Sequence, residues 1–169
     1  MIKRKIPKRP NWDEFFMMHS YLAATRSSCF HLNTGAAIVK DKRIIAMGYN
    51  GAPSGIKNSF EYGWCRKEKF GIDFDEKGTG TCRGRHAEEN AMSQPSRQDM
   101  EGATLYSVYY PCSSCAKSIV GNNFSKVFYS KLYKEKDSLA EEIFKEKGIE
   151  VIKLKIDLTE FSRFISNLK

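Results

Sequence analysis

Two short motifs, His86-Ala87-Glu88 and Pro111-Cys112-Ser113-Ser114-Cys115, constrain the fold of this chain more than any other feature. Each stands where a helix is predicted to begin, behind a strand or loop. Alone, H-x-E arises by chance in many proteins, and C-x-x-C is shared by zinc ribbons and thiol–disulfide enzymes. Together they supply one imidazole and two thiolates. That is a three-ligand set for Zn²⁺ with the fourth tetrahedral position left to water, the pattern of a catalytic rather than a structural zinc. The fold must therefore bring two helix starts, distant in sequence, to one point. Both cysteines are expected in the first turn of their helix, where free N–H groups and the positive dipole end favour the thiolate. Pro111 is tolerated there because first-turn amides have no intrahelical partner. Glu88, two residues from His86, is expected near the metal without ligating it, placed to take a proton from water and return it to a leaving group. Two other readings stay open: a structural zinc completed by Cys82 or Cys65, and a redox C-x-x-C that needs neither histidine nor glutamate.

The rest of the chain predicts an α/β protein. Its 169 residues suit one hydrophobic core, divided here into a basic N-terminal arm over 1–10 and a single domain over 11–169. Asn11 with Glu14 reads as a capping box opening the first helix. Trp12, Phe15, Phe16, His19, Leu22 and Ala23 follow as its core-facing stripe, with His19 expected in the core. His31 is expected to make a local loop hydrogen bond. Residues 35–39 and 44–49 read as an antiparallel hairpin turning at 40–43. Residues 50–85 are rich in glycine and charge and form a long irregular excursion. A helix follows from about 86 to Gln94-Pro95, then a strand over 103–109, a helix over 112–120, a strand over 126–130, a helix capped by Ser138 and Glu141, a strand over 150–155, and a helix opened by Asp157 and Glu160. This order implies a central mixed five-stranded sheet with helices on both faces, a three-layer α/β/α fold.

Charge and cysteine content narrow the partners. Lys3, Arg4, Lys5, Lys8 and Arg9 supply five of the net +8, and the other 23 basic and 20 acidic residues leave only +3. A basic arm suits anionic partners such as nucleic acid, but a short charged tail is as often a solvated end. The body suits a phosphorylated small molecule and does not require a nucleic-acid groove. Apolar runs such as 35–39 are far shorter than the roughly 18 residues of a membrane span, and the basic start leads into no apolar signal core. Five cysteines cannot all pair, so reduced thiols in the cytoplasm are expected.

H-x-E with P-C-x-x-C is the signature of zinc-dependent nucleobase deaminases. Beyond it, the chain from about Arg9 to Tyr133 resembles the deoxycytidylate (dCMP) deaminases of the cytidine deaminase superfamily. The resemblance is carried by Arg9-Pro10-Asn11-Trp12, Thr25-Arg26-Ser27-Ser28-Cys29, residues 35–40, Gly48-Tyr49-Asn50-Gly51-Ala52-Pro53-Ser54-Gly55, and the two zinc motifs. It implies hydrolysis of dCMP to dUMP and ammonia, feeding thymidylate synthesis, with Glu88 moving protons. It further implies that Asn50 bonds the substrate sugar, the Ala87 backbone N–H the pyrimidine O2, and Arg26 the phosphate, with Tyr133 beside the substrate. The plainer alternatives are a turn residue, a surface charge and simple packing for Asn50, Arg26 and Tyr133. Regulated members bind dCTP or dTTP through acidic residues after G-Y-N-G, where this chain has Ile56-Lys57-Asn58-Ser59-Phe60. Some members hold a second, structural zinc; Cys29, Cys65 and Cys82 are the candidates, against burial as small hydrophobes. Members usually assemble as dimers or hexamers. The rival classes are a nucleic-acid editor resembling tRNA adenosine deaminases, which the 56–85 excursion argues against, and a zinc-stabilised binding module without turnover.

Overall fold

Asn11 starts the first helix as the sequence predicts. Its side chain accepts the Glu14 N–H at 2.9 Å, and Glu14 Oε2 accepts the Asn11 N–H at 2.8 Å, closing the capping box of α1 (Trp12–Ala24). The computed structural model describes residues 9–76 and 78–167, so Lys3, Arg4, Lys5 and Lys8 of the basic arm lie outside the described residues. The buried face of α1 differs from the predicted stripe. Phe16, Met17, Ser20, Ala23 and Ala24 face inward, whereas Trp12 and Leu22 are 56% and 61% exposed. His19 is not a core residue: it is half-buried, with Nδ1 2.8 Å from the Phe15 carbonyl. The cause is close packing. A side chain on Gly35 would meet the Ser20 carbonyl at 2.1 Å and the Ala24 nitrogen at 2.6 Å, so the last turns of the helix present the small residues Ser20, Ala23 and Ala24 to the sheet, while Phe16 and Met17 fill the core nearer its start.

The strands β1 (Gly35–Lys40) and β2 (Arg43–Tyr49) form the expected antiparallel hairpin. Asp41 and Lys42 both take positive φ, as a two-residue turn matching strand twist requires. The excursion is less irregular than its composition suggests, because it contains two single-turn helices, α2 (Ser59–Tyr62) and α3 (Arg66–Lys69). Asn58 and Glu61 cap the first of these reciprocally. Then come α4 (Ala87–Met92), a short α5 (Arg97–Met100) that periodicity does not predict, β3 (Thr104–Tyr109), α6 (Ser113–Gly121), β4 (Lys126–Lys131), α7 (Ser138–Lys147), β5 (Glu150–Lys153) and α8 (Leu158–Ser166).

The five strands run in the order β2-β1-β3-β4-β5, with β1 antiparallel to both its neighbours and the β3–β4 and β4–β5 pairs parallel. Alternate residues divide the core in two. Ala36, Ile38, Leu105 and Val127 meet Ala87, Ala91, Ala116, Ile119, Ala140 and Phe144 of α4, α6 and α7 on one face. Ala37, Val39, Tyr106 and Phe128 meet Phe16 and Met17 of α1 on the other. Both faces are covered, which is why β1 is buried along nearly its whole length and reads as a continuous apolar run. This is the three-layer α/β/α fold with a mixed sheet. Its parallel half points the carboxyl end of β3 at the start of α6, and β2 carries α4.

Candidate active site

Contacts along α4 and just beyond its ends hold it against β2 and thereby set its first residues. The Asn90 side chain donates to the Tyr49 carbonyl at 2.8 Å, and Gln94 to the Met47 carbonyl at 2.5 Å. Gly51 and Arg85 exchange backbone hydrogen bonds at 3.2 and 2.9 Å, tying the G-Y-N-G stretch to the residue before His86. Gly48 removes the last obstacle: a Cβ there would lie 2.3 Å from the Ala87 carbonyl oxygen and 2.4 Å from the Ala91 nitrogen. His86 is the N-cap of α4, with its N–H held by Glu89 Oε2 at 3.2 Å.

The second helix differs slightly from expectation. Cys112 is the N-cap of α6 rather than a first-turn residue, and Cys115 is the third residue of the helix. Asp137, not Ser138, caps α7, accepting the Ala140 N–H at 3.2 Å, and its other oxygen accepts the Ser113 N–H at 3.1 Å. One carboxylate thus joins the start of α7 to the start of the cysteine helix.

These supports bring the predicted ligands together. His86 Nδ1 lies 3.3 Å from Cys115 Sγ and 3.4 Å from Cys112 Sγ. Tetrahedral Zn²⁺ with Zn–N near 2.0 Å and Zn–S near 2.3 Å separates such atoms by about 3.5 Å, so the three donors fit the ion as they stand. Among the described residues no fourth donor joins this cluster. Cys65, one of the two residues suggested for a structural fourth ligand, belongs to a different group; Cys82 is exposed and accepts the Gly84 N–H at 3.4 Å. The charges are also arranged for a cation. Hydrogen bonds from the Cys115 thiol and from His86 hold Cys112 down to about 4, so it is a thiolate at neutral pH. The bond to Cys112 pushes His86 up to about 9, and the same thiolate with burial pushes Cys115 up.

Glu88 is 5% exposed and lies on the first turn of α4. Burial pushes its carboxyl group above the ordinary glutamate range. Ser107 Oγ on β3 donates to Glu88 Oε1 at 3.2 Å. Sequence reasoning missed Ser107, although a hydroxyl residue on the same face of β3 as Leu105 is a visible irregularity in an otherwise apolar surface.

The remaining predicted residues differ in their surroundings. Asn50 accepts the Thr34 N–H through Oδ1 at 2.9 Å and donates through Nδ2 to the Leu32 carbonyl at 2.7 Å, so its amide ties down the 32–34 loop. Ala87 is wholly buried as the first residue of α4, where its N–H has no intrahelical partner. Arg26 is exposed and lines a cavity of about 260 Å³ with Ser28, Tyr49, Pro53, Ser54 and Asn58. Tyr133 packs edge-on against Phe74 of the excursion and Tyr109 of β3, with the Lys134–Asp75 ion pair beside it. His31 does more than make a local bond. It stacks on Phe74 at 4.5 Å, its Nε2 faces Glu68 at 3.1 Å, and with Cys65 it forms a second donor group whose atoms lie within 4.8 Å of one another.

Residues 10–131 match the family model for the cytidine and deoxycytidylate deaminase zinc-binding region. The deoxycytidylate deaminase of Saccharomyces cerevisiae is 40% identical over 85% of this chain, which spans only 45% of that protein's length. The deoxycytidylate deaminase of Mycobacterium phage D29 is 37% identical, with 73% of this chain matching 97% of the phage protein. Among solved structures, the dCMP deaminase of cyanophage S-TIM5 in complex with dCMP and dUMP is 28% identical. It covers 88% of this chain and all of its own, with a TM-score of 0.67.

Proposed function

The chain belongs to the family of zinc-binding cytidine and deoxycytidylate deaminases, and from that premise we propose that it hydrolyses dCMP to dUMP and ammonia. The observation that carries the proposal is the convergence of His86, Cys112 and Cys115 on one point with a buried carboxyl group, Glu88, on the adjoining helix turn. The names of the yeast and phage relatives, and the nucleotides bound to the cyanophage protein, support dCMP as the substrate.

His86, Cys112 and Cys115 are the residues that hold Zn²⁺, which when bound supplies Lewis-acid activation of water at neutral pH. Glu88 accepts a proton from that water and delivers protons to the ring and the departing amine. The C–O bond forms at the carbon whose C–N bond breaks, and ammonia leaves. Burial favours the proton-bearing form of Glu88, which suits a group that must hold a proton between receipt and delivery. The Ala87 N–H is free to bind the pyrimidine O2. Asn50 retains one amide hydrogen beyond its bond to Leu32 and offers it to the sugar. Arg26 presents a planar guanidinium, suited to phosphate oxygens, at the edge of the cavity it shares with the G-Y-N-G-A-P-S stretch. Tyr133 closes the site from the β4–α7 loop.

The same reading extends to assembly and regulation. His31, Cys65 and Glu68 offer three donors for a second metal ion; of the candidates Cys29, Cys65 and Cys82, Cys65 alone belongs to that group. Residues 11–169 act as one deaminase domain that the basic arm does not serve. The exposed Trp12 and Leu22 support a homo-oligomer, a dimer or hexamer. Five free cysteines support a cytoplasmic location, and no helix of the described residues is long and apolar enough to cross a membrane.

The test is metal analysis coupled to a substrate panel of dCMP, dCTP, deoxycytidine and single-stranded nucleic acid. Zinc-loaded protein is expected to release ammonia from dCMP in preference to the rest, with two zinc ions per chain. Activity confined to a polynucleotide would overturn the substrate, and one zinc per chain would remove the second site. Adding dCTP or dTTP at fixed dCMP reads regulation directly.

A further inference from the structure

We infer that Ser107 is a positioning residue, whose hydroxyl orients the Glu88 carboxyl group for proton transfer. The inference rests on the role given to Glu88 above. Ser107 sits in the middle of β3, paired with Ala36 on β1 and Tyr129 on β4, and is wholly buried. Both neighbours belong to the apolar cluster under α4 and α6. A hydroxyl in such a place costs free energy unless it is hydrogen-bonded, and an alanine or valine would pack there without that cost. Its partner is Glu88 Oε1, at 3.2 Å, rather than a backbone group.

Ser20, the buried serine on the opposite face of the sheet, makes the contrast clear. Its hydroxyl donates to the Tyr106 carbonyl at 2.9 Å, a tie between helix and strand. Ser107 reaches instead from a strand paired on both sides to the one buried carboxyl group on the helix that carries His86. The bond holds Oε1 and, together with the Glu88 main-chain N–H that also reaches the carboxyl group, sets the carboxyl plane for proton exchange. A glutamate side chain has three rotatable bonds, and a donor fixed on the sheet adds to packing in selecting one orientation.

The experiment compares the zinc-loaded wild type with Ser107→Ala, Ser107→Val and Ser107→Thr. Ser107→Ala and Ser107→Val are expected to lower kcat for dCMP by roughly 10- to 100-fold, the scale of one hydrogen bond to a charged group, with KM, zinc content and Tm little changed. Ser107→Thr, which keeps the hydroxyl, is expected to restore kcat. In a Glu88→Gln background, Ser107→Ala should have no further effect, because the two residues act as a unit. Wild-type kcat in Ser107→Ala, or a loss that tracks Tm and is not rescued by threonine, would overturn the inference while leaving the deaminase reading intact. A wild type that does not deaminate dCMP sinks that reading instead. In that event a crystal structure of Ser107→Ala still decides: an unmoved, well-ordered Glu88 carboxylate refutes the positioning role.

Discussion

Replacing Gly48 by alanine tests the idea that the site is held by direct contact between a strand and a helix backbone. The added Cβ would stand 2.3 Å from the Ala87 carbonyl oxygen, 2.4 Å from the Ala91 nitrogen and 2.9 Å from the Asn90 carbonyl carbon. All three are main-chain atoms of α4, so no side chain can swing aside. Restoring contacts to about 3.4 Å requires the helix to retreat from β2 by about 1 Å. Overpacking of this kind typically costs about 1–3 kcal/mol, and for a chain of this length each kcal/mol lowers Tm by about 2–4 °C. The retreat carries His86 and Glu88 with it, and a misplacement near 1 Å can cost about 100-fold in rate. Gly121→Ala is the control, since nothing lies within 4 Å of a Cβ added there and its φ is not positive. Calorimetry and steady-state dCMP deamination, with zinc quantified in each sample, should show Gly48→Ala several degrees less stable and about two orders of magnitude slower, with Gly121→Ala unchanged or slightly stabilised. A Gly48→Ala enzyme with wild-type Tm and kcat would refute the packing argument.

Three further outcomes rest on the same geometry. Glu88→Gln should keep zinc and fold yet lose 10²–10⁴-fold in kcat, the usual worth of general acid–base catalysis; unimpaired turnover would dismiss its role. Arg26→Ala should weaken use of dCMP far more than use of deoxycytidine, and equal losses on the two would take Arg26 out of the phosphate site. Zinc affinity of the metal-free protein should rise with pH, because bound ligands must be deprotonated. Between about pH 5 and 6, three unperturbed ligands would each release a proton, a slope of three in log K against pH. Here Cys112, held near 4, is already a thiolate, while His86, pushed up to about 9, and Cys115, also pushed up, still carry protons. Chelator competition should therefore give a slope of two, and a slope of three would disprove the preformed thiolate.

Much of the fold was legible because its signals are local. Asn11 with Glu14 and Asp157 with the N–H of Glu160 are capping contacts three residues apart, and both appear as read. The apolar run of β1 and the turn over 40–43 likewise follow from neighbouring residues. The convergence of His86, Cys112 and Cys115 was legible for another reason. Metal coordination demands specific atoms in a specific number, so two motifs sufficed without knowledge of the path between them. Errors came where a helix is apolar on several sides. In α1, periodicity alone favoured Trp12, Phe15 and Leu22, whereas contact with Gly35 selected the face bearing Ser20, Ala23 and Ala24.

The residue types and their spacing were enough to specify a mixed α/β sheet, a cluster of one His and two Cys donors, and a carboxyl group on the adjoining helix turn. Tertiary structure decided which surface of α1 is covered, that α4 rests on bare backbone at Gly48, that Ser107 meets Glu88, and that His31 and Glu68 rather than Cys29 and Cys82 accompany Cys65. Each of these is a contact between segments far apart along the chain. Side-chain chemistry states what a residue can bind, but only the packing of whole elements determines what is within reach.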